Sequence, residues 1–196
     1  MDNNKPEKVE VPSLEQLESE RKHYRHKSAY KRTVRSTAAV LIVAAAIAVL
    51  VATLWMPVLQ IYGASMSPTL ENGQIVISLK GNNYEPGDLV AFYYGNKLLI
   101  KRVIACPGDW ISIEANGDVY VNGKPLDEPY LKEKALGECD QIFPLQMTED
   151  RWFLMGDNRA VSLDSRSTSL GLVSGEQIIG RVVFRVWPLN KFGAVK

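Results

Sequence analysis

Three short stretches, far apart along the chain, carry side chains that together could activate a serine without a histidine. They are Ser65-Met66-Ser67-Pro68-Thr69-Leu70, Lys101-Arg102-Val103-Ile104, and Gly156-Asp157-Asn158-Arg159 followed by Ser162, Asp164, Ser165 and Arg166. A serine hydroxyl is a weak nucleophile until a neighbouring base removes its proton. The two histidines, His23 and His26, both precede an apolar run of membrane length. If a serine beyond that run is a nucleophile, its base is something else, and lysine is the candidate.

Lys101 lies in the run Leu98-Leu99-Ile100-Lys101-Arg102-Val103-Ile104-Ala105. On a strand alternate residues share a face, so Lys101 is grouped with Leu99, Val103 and Ala105, and Arg102 with Ile100 and Ile104. Apolar surroundings disfavour the charged amine and lower its pKa. A fall of about three units from ~10.4 leaves much of it neutral near pH 7, able to accept a proton. Taken alone, the strand fits better a lysine that blunts a sheet edge. Ser65, preceded by the small Gly63 and Ala64 and followed by Pro68, taken alone fits an ordinary turn. The Asp, Asn, Ser and Arg of residues 156–166 could form a solvated loop, or could hold a neutral lysine amine in place through the Ser162 hydroxyl, braced by Asp164 with Arg166. The three together, in this order, point to a serine hydrolase with a lysine base.

The rest of the chain must position these groups. Its 196 residues and net charge of +1 accommodate one ordinary domain plus an appendage, and give no reason to expect nucleic acid as a partner. Lys22, Arg25, Lys27, Lys31, Arg32 and Arg35 crowd the stretch before residue 36, and no charge follows until Glu71. Within that gap residues 38–59 are apolar almost throughout, about the length that crosses a bilayer as a helix. A removable signal sequence has a shorter apolar core, and cleavage after Ala64 would put the bulky Tyr62 at the −3 position. The run therefore reads as a retained anchor in the lipid bilayer. Its basic flank places residues 1–35 in the cytoplasm and residues 60–196 outside.

Residues 1–12 are polar and are expected to be disordered. Ser13-Leu14-Glu15-Gln16 reads as a capping box opening a charged helix. Beyond the anchor, short strands are expected at 74–77, 87–94, 97–105, 110–114, 119–121, 151–155 and 178–186. Asn116-Gly117 reads as a tight primed hairpin turn, with a second turn at Asn122-Gly123. Residues 127–150 read as a surface excursion. The fold class expected is mainly β: a single N-terminal transmembrane helix (36–59) after a charged tail (1–35), then a mostly antiparallel β domain (60–196). Cys106 and Cys139 lie in the outward part, where the compartment permits a disulfide, and their pairing is left open.

In the order and content of these motifs the chain resembles the bacterial type I signal peptidases, over nearly all of residues 36–190. The resemblance rests on the anchor, SMSPTL, the strand at 89–94, KRVIACPGD, the Asn-Gly hairpin, GDNRAVSLDSR and the closing strand ending in Trp187-Pro188. It implies a membrane-bound endopeptidase that removes signal peptides from exported preproteins, with Ser65 as nucleophile and Lys101 as general base, a known variant of triad logic. It implies that Ser162 orients the lysine amine, that Asp164 and Arg166 hold the loop with support from Asp157 and Arg159, and that Met66, Pro68 and Arg102 have structural roles. It implies neither cofactor nor metal, and a monomer is expected.

One departure stands out. Some family members carry a serine two residues before the nucleophile, whose hydroxyl helps bind the oxyanion; here that residue is Gly63. The Ser65 N–H and one further amide are then expected to form the oxyanion hole. The substrate is expected to lie as an added strand between Gln60, Ile61, Tyr62, Gly63 and Ala64 on one side and Leu98, Leu99 and Ile100 on the other. By the resemblance, small side chains, typically Ala, occupy −1 and −3. Three other readings share these features: a tethered Ser–Lys protease of the self-cleaving repressor type, a catalytically dead anchored β-domain that binds exported or cell-wall proteins, and a module that cleaves one dedicated partner.

Overall fold

The computed structural model describes residues 13–195, so the expectation for residues 1–12 lies outside the described residues. The chain divides into two units that meet between Val51 and Ala52. Helix α1 (Leu14–Trp55) makes up the described part of the first unit and ends in the second. Its start follows the expected capping box: Gln16 N–H donates to Ser13 Oγ at 3.3 Å and Ser13 N–H to Gln16 Oε1 at 3.0 Å. Where the sequence suggested a charged helix and then an apolar run, one uninterrupted helix holds both. Its stretch Tyr30–Trp55 is long and apolar enough to cross a membrane and is not buried by the protein. Pro57, which has no N–H to donate, follows the last helical turn. Val58 and Leu59, the end of the apolar run, belong to a strand, so the helix stops short of the expected boundary at 59.

The second unit is built of antiparallel strands: β1 (Val58–Gln60), β2 (Ile75–Leu79), β3 (Leu89–Tyr94), β4 (Lys97–Ala105), β5 (Trp110–Ile113), β6 (Val119–Val121), β7 (Lys124–Pro125), β8 (Leu145–Gln146), β9 (Arg151–Met155), β10 (Val173–Ser174), β11 (Ile178–Trp187) and β12 (Gly193–Ala194). The larger sheet runs β1-β2-β11-β3-β4-β9-β10 with β12 on β11, and the smaller runs β7-β6-β5-β8. Three apolar clusters fill the unit. One gathers Val90, Phe92, Val103, Trp152 and Leu154, and a second Ile61, Met66, Leu70, Val76 and Ala91. The third, beneath the small sheet, gathers Ile104, Ala105, Ile111, Val119, Met147 and Phe153. Strict alternation put Ala105 on the Lys101 face; a register irregularity between Val103 and Ala105 turns it into the cluster of Ile104 instead.

Two local expectations change. The hairpin at Asn116-Gly117 is not a two-residue primed turn: Ile113 pairs with Val119, leaving five residues between the strands. Asn116 Oδ1 accepts the Asp118 N–H at 2.9 Å, and Gly117 alone takes a positive φ. The primed geometry falls at Asn122-Gly123, where both residues have positive φ (53° and 75°). Residues 127–150 are not simply a surface excursion. Glu128 and Met147 are buried, and β8 completes the small sheet.

Candidate active site

Ser65 sits in a compact turn directly after the strand region of β1. Ser67 N–H donates to the Ala64 carbonyl (3.1 Å) and Leu70 N–H to that of Met66 (2.9 Å), while the buried Met66 and Leu70 side chains pin the turn to the core. Pro68 is within this turn, and Arg185 Nη1 reaches it from β11 by donating to the Thr69 carbonyl at 3.2 Å.

Lys101 occupies the middle of β4, paired with Val90 of β3, and is 2 % exposed. Burial pulls its ammonium down to about 8 from the ordinary 10.5; the nearby Asp164 works against that fall, Arg166 adds to it, and Asp157 again opposes it. Among the described residues its amine makes one hydrogen bond, donating to Ser162 Oγ at 2.8 Å. Ser162 is itself buried.

Residues 156–166 join these two parts. Asn158 N–H donates to the Ser65 carbonyl at 3.0 Å, and Asn158 Nδ2 to that of Ala64 at 3.2 Å. Gly156 stands where a side chain could not: a Cβ there would collide with both the Ser65 carbonyl oxygen and the Ser162 side chain. The backbone of Ser65 and the hydroxyl that holds Lys101 therefore crowd the same point. No hydrogen bond joins Ser65 Oγ to Lys101 Nζ.

Three arginines hold this arrangement. Arg166 meets Asp164 through Nε and Nη2, both at 2.8 Å, with both side chains fully buried; Asp164 Oδ2 also accepts the Gly156 N–H at 3.0 Å. The sequence suggested that pair. It grouped Asp157 and Arg159 as joint supports, but each is paired elsewhere. Asp157 takes Arg102 Nε (2.9 Å) and Nη2 (2.6 Å) and accepts the Thr69 hydroxyl, tying β4, the Ser65 turn and the loop at one carboxylate. Arg159 pairs with buried Glu128. Glu128 was missed, and only charge counting could have found it: three arginines in the motifs face two motif aspartates, and a buried guanidinium needs a partner.

A groove of about 590 Å³ opens beside Ser65, lined by residues 58–63, Ser65, Met66 and residues 97–100. It takes in Gln60, Ile61, Tyr62, Gly63, Leu98, Leu99 and Ile100, but not Ala64. Two strand edges flank it. β9 meets β4 only at Arg102, Val103 and Ala105, so residues 97–100 have β3 on one side and no strand on the other. On the opposite wall Ile61 is bound to Gln74 and Gly73, Gly63 N–H is taken by Asn72 Oδ1 (3.0 Å), and the Tyr62 backbone has no partner among the described residues. The Ser65 N–H likewise finds no acceptor among them. Cys106 and Cys139 are both free thiols; burial pushes Cys106 up to about 11, so it is no nucleophile at neutral pH.

The family described as signal peptidase, peptidase S26, matches residues 34–187. The chain is 33% identical over 186 residues to a protein of Bacillus amyloliquefaciens named signal peptidase I, covering 89% of this chain and 100% of that one. It is 38% identical over 152 residues to signal peptidase IB of Staphylococcus aureus, covering 67% of this chain and 78% of that protein. A crystal structure of a signal peptidase I from Enterococcus faecalis is similar at 26% identity and a TM-score of 0.44, over 50% of this chain and 96% of that one.

Proposed function

Because the chain belongs to the signal peptidase family, peptidase S26, and is thereby a serine peptidase, we propose that it is a membrane-anchored endopeptidase in which Ser65 is the nucleophile and Lys101 the general base. The observation that carries this reading is the buried Lys101 amine, held by Ser162, on the loop that also binds the Ser65 backbone. A dry amine with a single hydroxyl partner is a base; a hydrated ammonium is not.

The substrate segment before the cleavage site enters the groove as an extended strand between residues 97–100 and Tyr62, whose open backbone groups suit strand addition. Small residues at −1 and −3 face the groove floor. Neutral Lys101 takes the Ser65 proton as Ser65 Oγ attacks the carbonyl after the −1 residue. The Ser65 N–H stabilises the oxyanion, and Gly63, lacking a hydroxyl, leaves the second donor to a backbone amide. The Lys101 ammonium returns its proton to the departing amine, and water then cleaves the acyl-enzyme with Lys101 as base again. The apolar stretch of α1 is the anchor, and the basic residues before it set the cytoplasmic side, placing the β unit outside, where preproteins emerge.

The deciding experiment incubates the full chain in lipid with a preprotein bearing Ala-x-Ala and sequences the new N-terminus. Cleavage after the second Ala is expected, with none by Ser65→Ala; undiminished cleavage by Ser65→Ala overturns the assignment. The pH dependence follows from the base. Only deprotonated Lys101 can act, so kcat/KM should rise tenfold per pH unit below about 8 and level off above it. A flat profile from pH 6 to 9 would contradict this.

A further inference from the structure

Residues 128–137 cross from the small sheet to the site, and Arg102, Arg159 and Arg166 all touch them. The Tyr130 ring lies under Arg102, its centroid 3.9 Å from Cζ. Buried Glu128 pairs with Arg159, and Tyr130 OH donates to Glu128 Oε1 at 3.2 Å, so both contacts are joined. The carbonyls of Leu136 and Ala135 accept from Arg166 Nη1 at 2.6 and 3.2 Å. At Gly137 the backbone passes so close that a Cβ would sit 2.8 Å from Arg166 Nη1 and collide with the Arg159 carbonyl, with φ at +62°. None of residues 128–137 lines the groove. They meet the guanidinium groups, not a substrate.

We infer that this strap positions the catalytic apparatus, with Glu128 and Tyr130 acting through Arg159 and Arg102 to keep the base dry and its loop in place. The inference rests on the Ser65/Lys101 reading above. The physical chain is short. Arg102 is adjacent to Lys101 on β4 and neutralises Asp157, a carboxylate that also holds Thr69 in the nucleophile turn. The aromatic face covers that pair and attracts the cation. Without it, water reaches the pair and the strand beside the base. The charged groups facing Lys101 are Asp157, Asp164 and Arg166 from the loop; its partner on β3 is apolar Val90. Hydration of this cluster therefore eases the desolvation that depresses the amine's pKa, which then rises.

The test compares the full chain, Tyr130→Leu, Tyr130→Phe and Lys101→Met for kcat, KM, the acid limb of the pH profile and thermal midpoint. Tyr130→Leu keeps an apolar side chain but loses the aromatic face: kcat should fall by about tenfold, KM should change by less than about twofold, and the acid limb should move up by about half a pH unit. Tyr130→Phe, which keeps the face and loses only the hydroxyl, should recover kcat to within about threefold. An unchanged kcat and acid limb in Tyr130→Leu overturns the inference. So does equal impairment in Tyr130→Phe, or a loss in Tyr130→Leu that follows only its unfolded fraction. If cleavage instead survives Lys101→Met, it is the dyad that fails, and the arms separate the two.

Discussion

Replacing Lys101 by methionine is expected to reduce preprotein cleavage by roughly 10⁴-fold or more, to the residual level that binding and the oxyanion donors alone provide. Methionine has nearly the length of lysine and no amine, so the site keeps its shape and loses the proposed base. Folding should not suffer. Below about pH 8 the native state holds Lys101 as a buried ammonium at an unfavourable pKa. Relative to an unfolded value near 10.5, that costs about 3 kcal/mol. Between about 8 and 10.5 the native protein releases this proton before the unfolded chain does. The unfolded state then binds more protons, and stability rises with pH across that window. Methionine removes both the cost and the slope, while leaving Ser162 Oγ without its donor, a loss of about 1 kcal/mol. The variant should therefore melt at or above the parent midpoint at pH 7 and lack the alkaline gain. Substantial cleavage by a folded Lys101→Met chain would remove lysine from the mechanism.

How far the chain disclosed this site in advance depends on the range of each interaction. Lys101 stood out only together with the serine and loop motifs, since its strand alone fitted a lysine at a sheet edge, and the strand 97–105 formed as read. The pairing of Asp164 with Arg166 spans two residues and could be read locally. The pairing of Arg102 with Asp157 spans 55 residues and depends on β9 lying beside β4, while that of Arg159 with Glu128 spans 31 residues and reaches a segment outside that sheet; no local pattern states either. Glu128 lies in a charged stretch without periodicity, so it looked like surface. Its burial comes from what the fold lays over it. The Asn116-Gly117 turn was misassigned for a related reason. Dipeptide chemistry permits a primed turn at both, and strand register alone decides which one receives it.

Asp164→Ala should be the most disruptive change to the folded unit. Asp164 accepts from Arg166 Nε and Nη2, from the Arg166 N–H at 3.2 Å and from the Gly156 N–H, all buried. Alanine leaves a guanidinium sealed from water with carbonyls as its only partners, a change that costs roughly 3–5 kcal/mol. For a unit of this size that is a fall of about 10–15 °C in thermal midpoint, readable by calorimetry. Asp164→Asn separates charge from shape. Asp164 pulls the Lys101 pKa upward and Arg166 pulls it down, so removing only the carboxylate charge should move the acid limb below about 8. More of the base is then neutral at pH 7. Turnover should fall nevertheless, because the amide offers one acceptor oxygen where the carboxylate offers two, so either Arg166 or Gly156, which is set against both Ser162 and the Ser65 carbonyl, loses an acceptor that fixes the loop. A lower acid limb with a lower plateau is the signature of a loop whose chief task is position. A lower limb with an undiminished plateau would show that Asp164 merely tunes the amine.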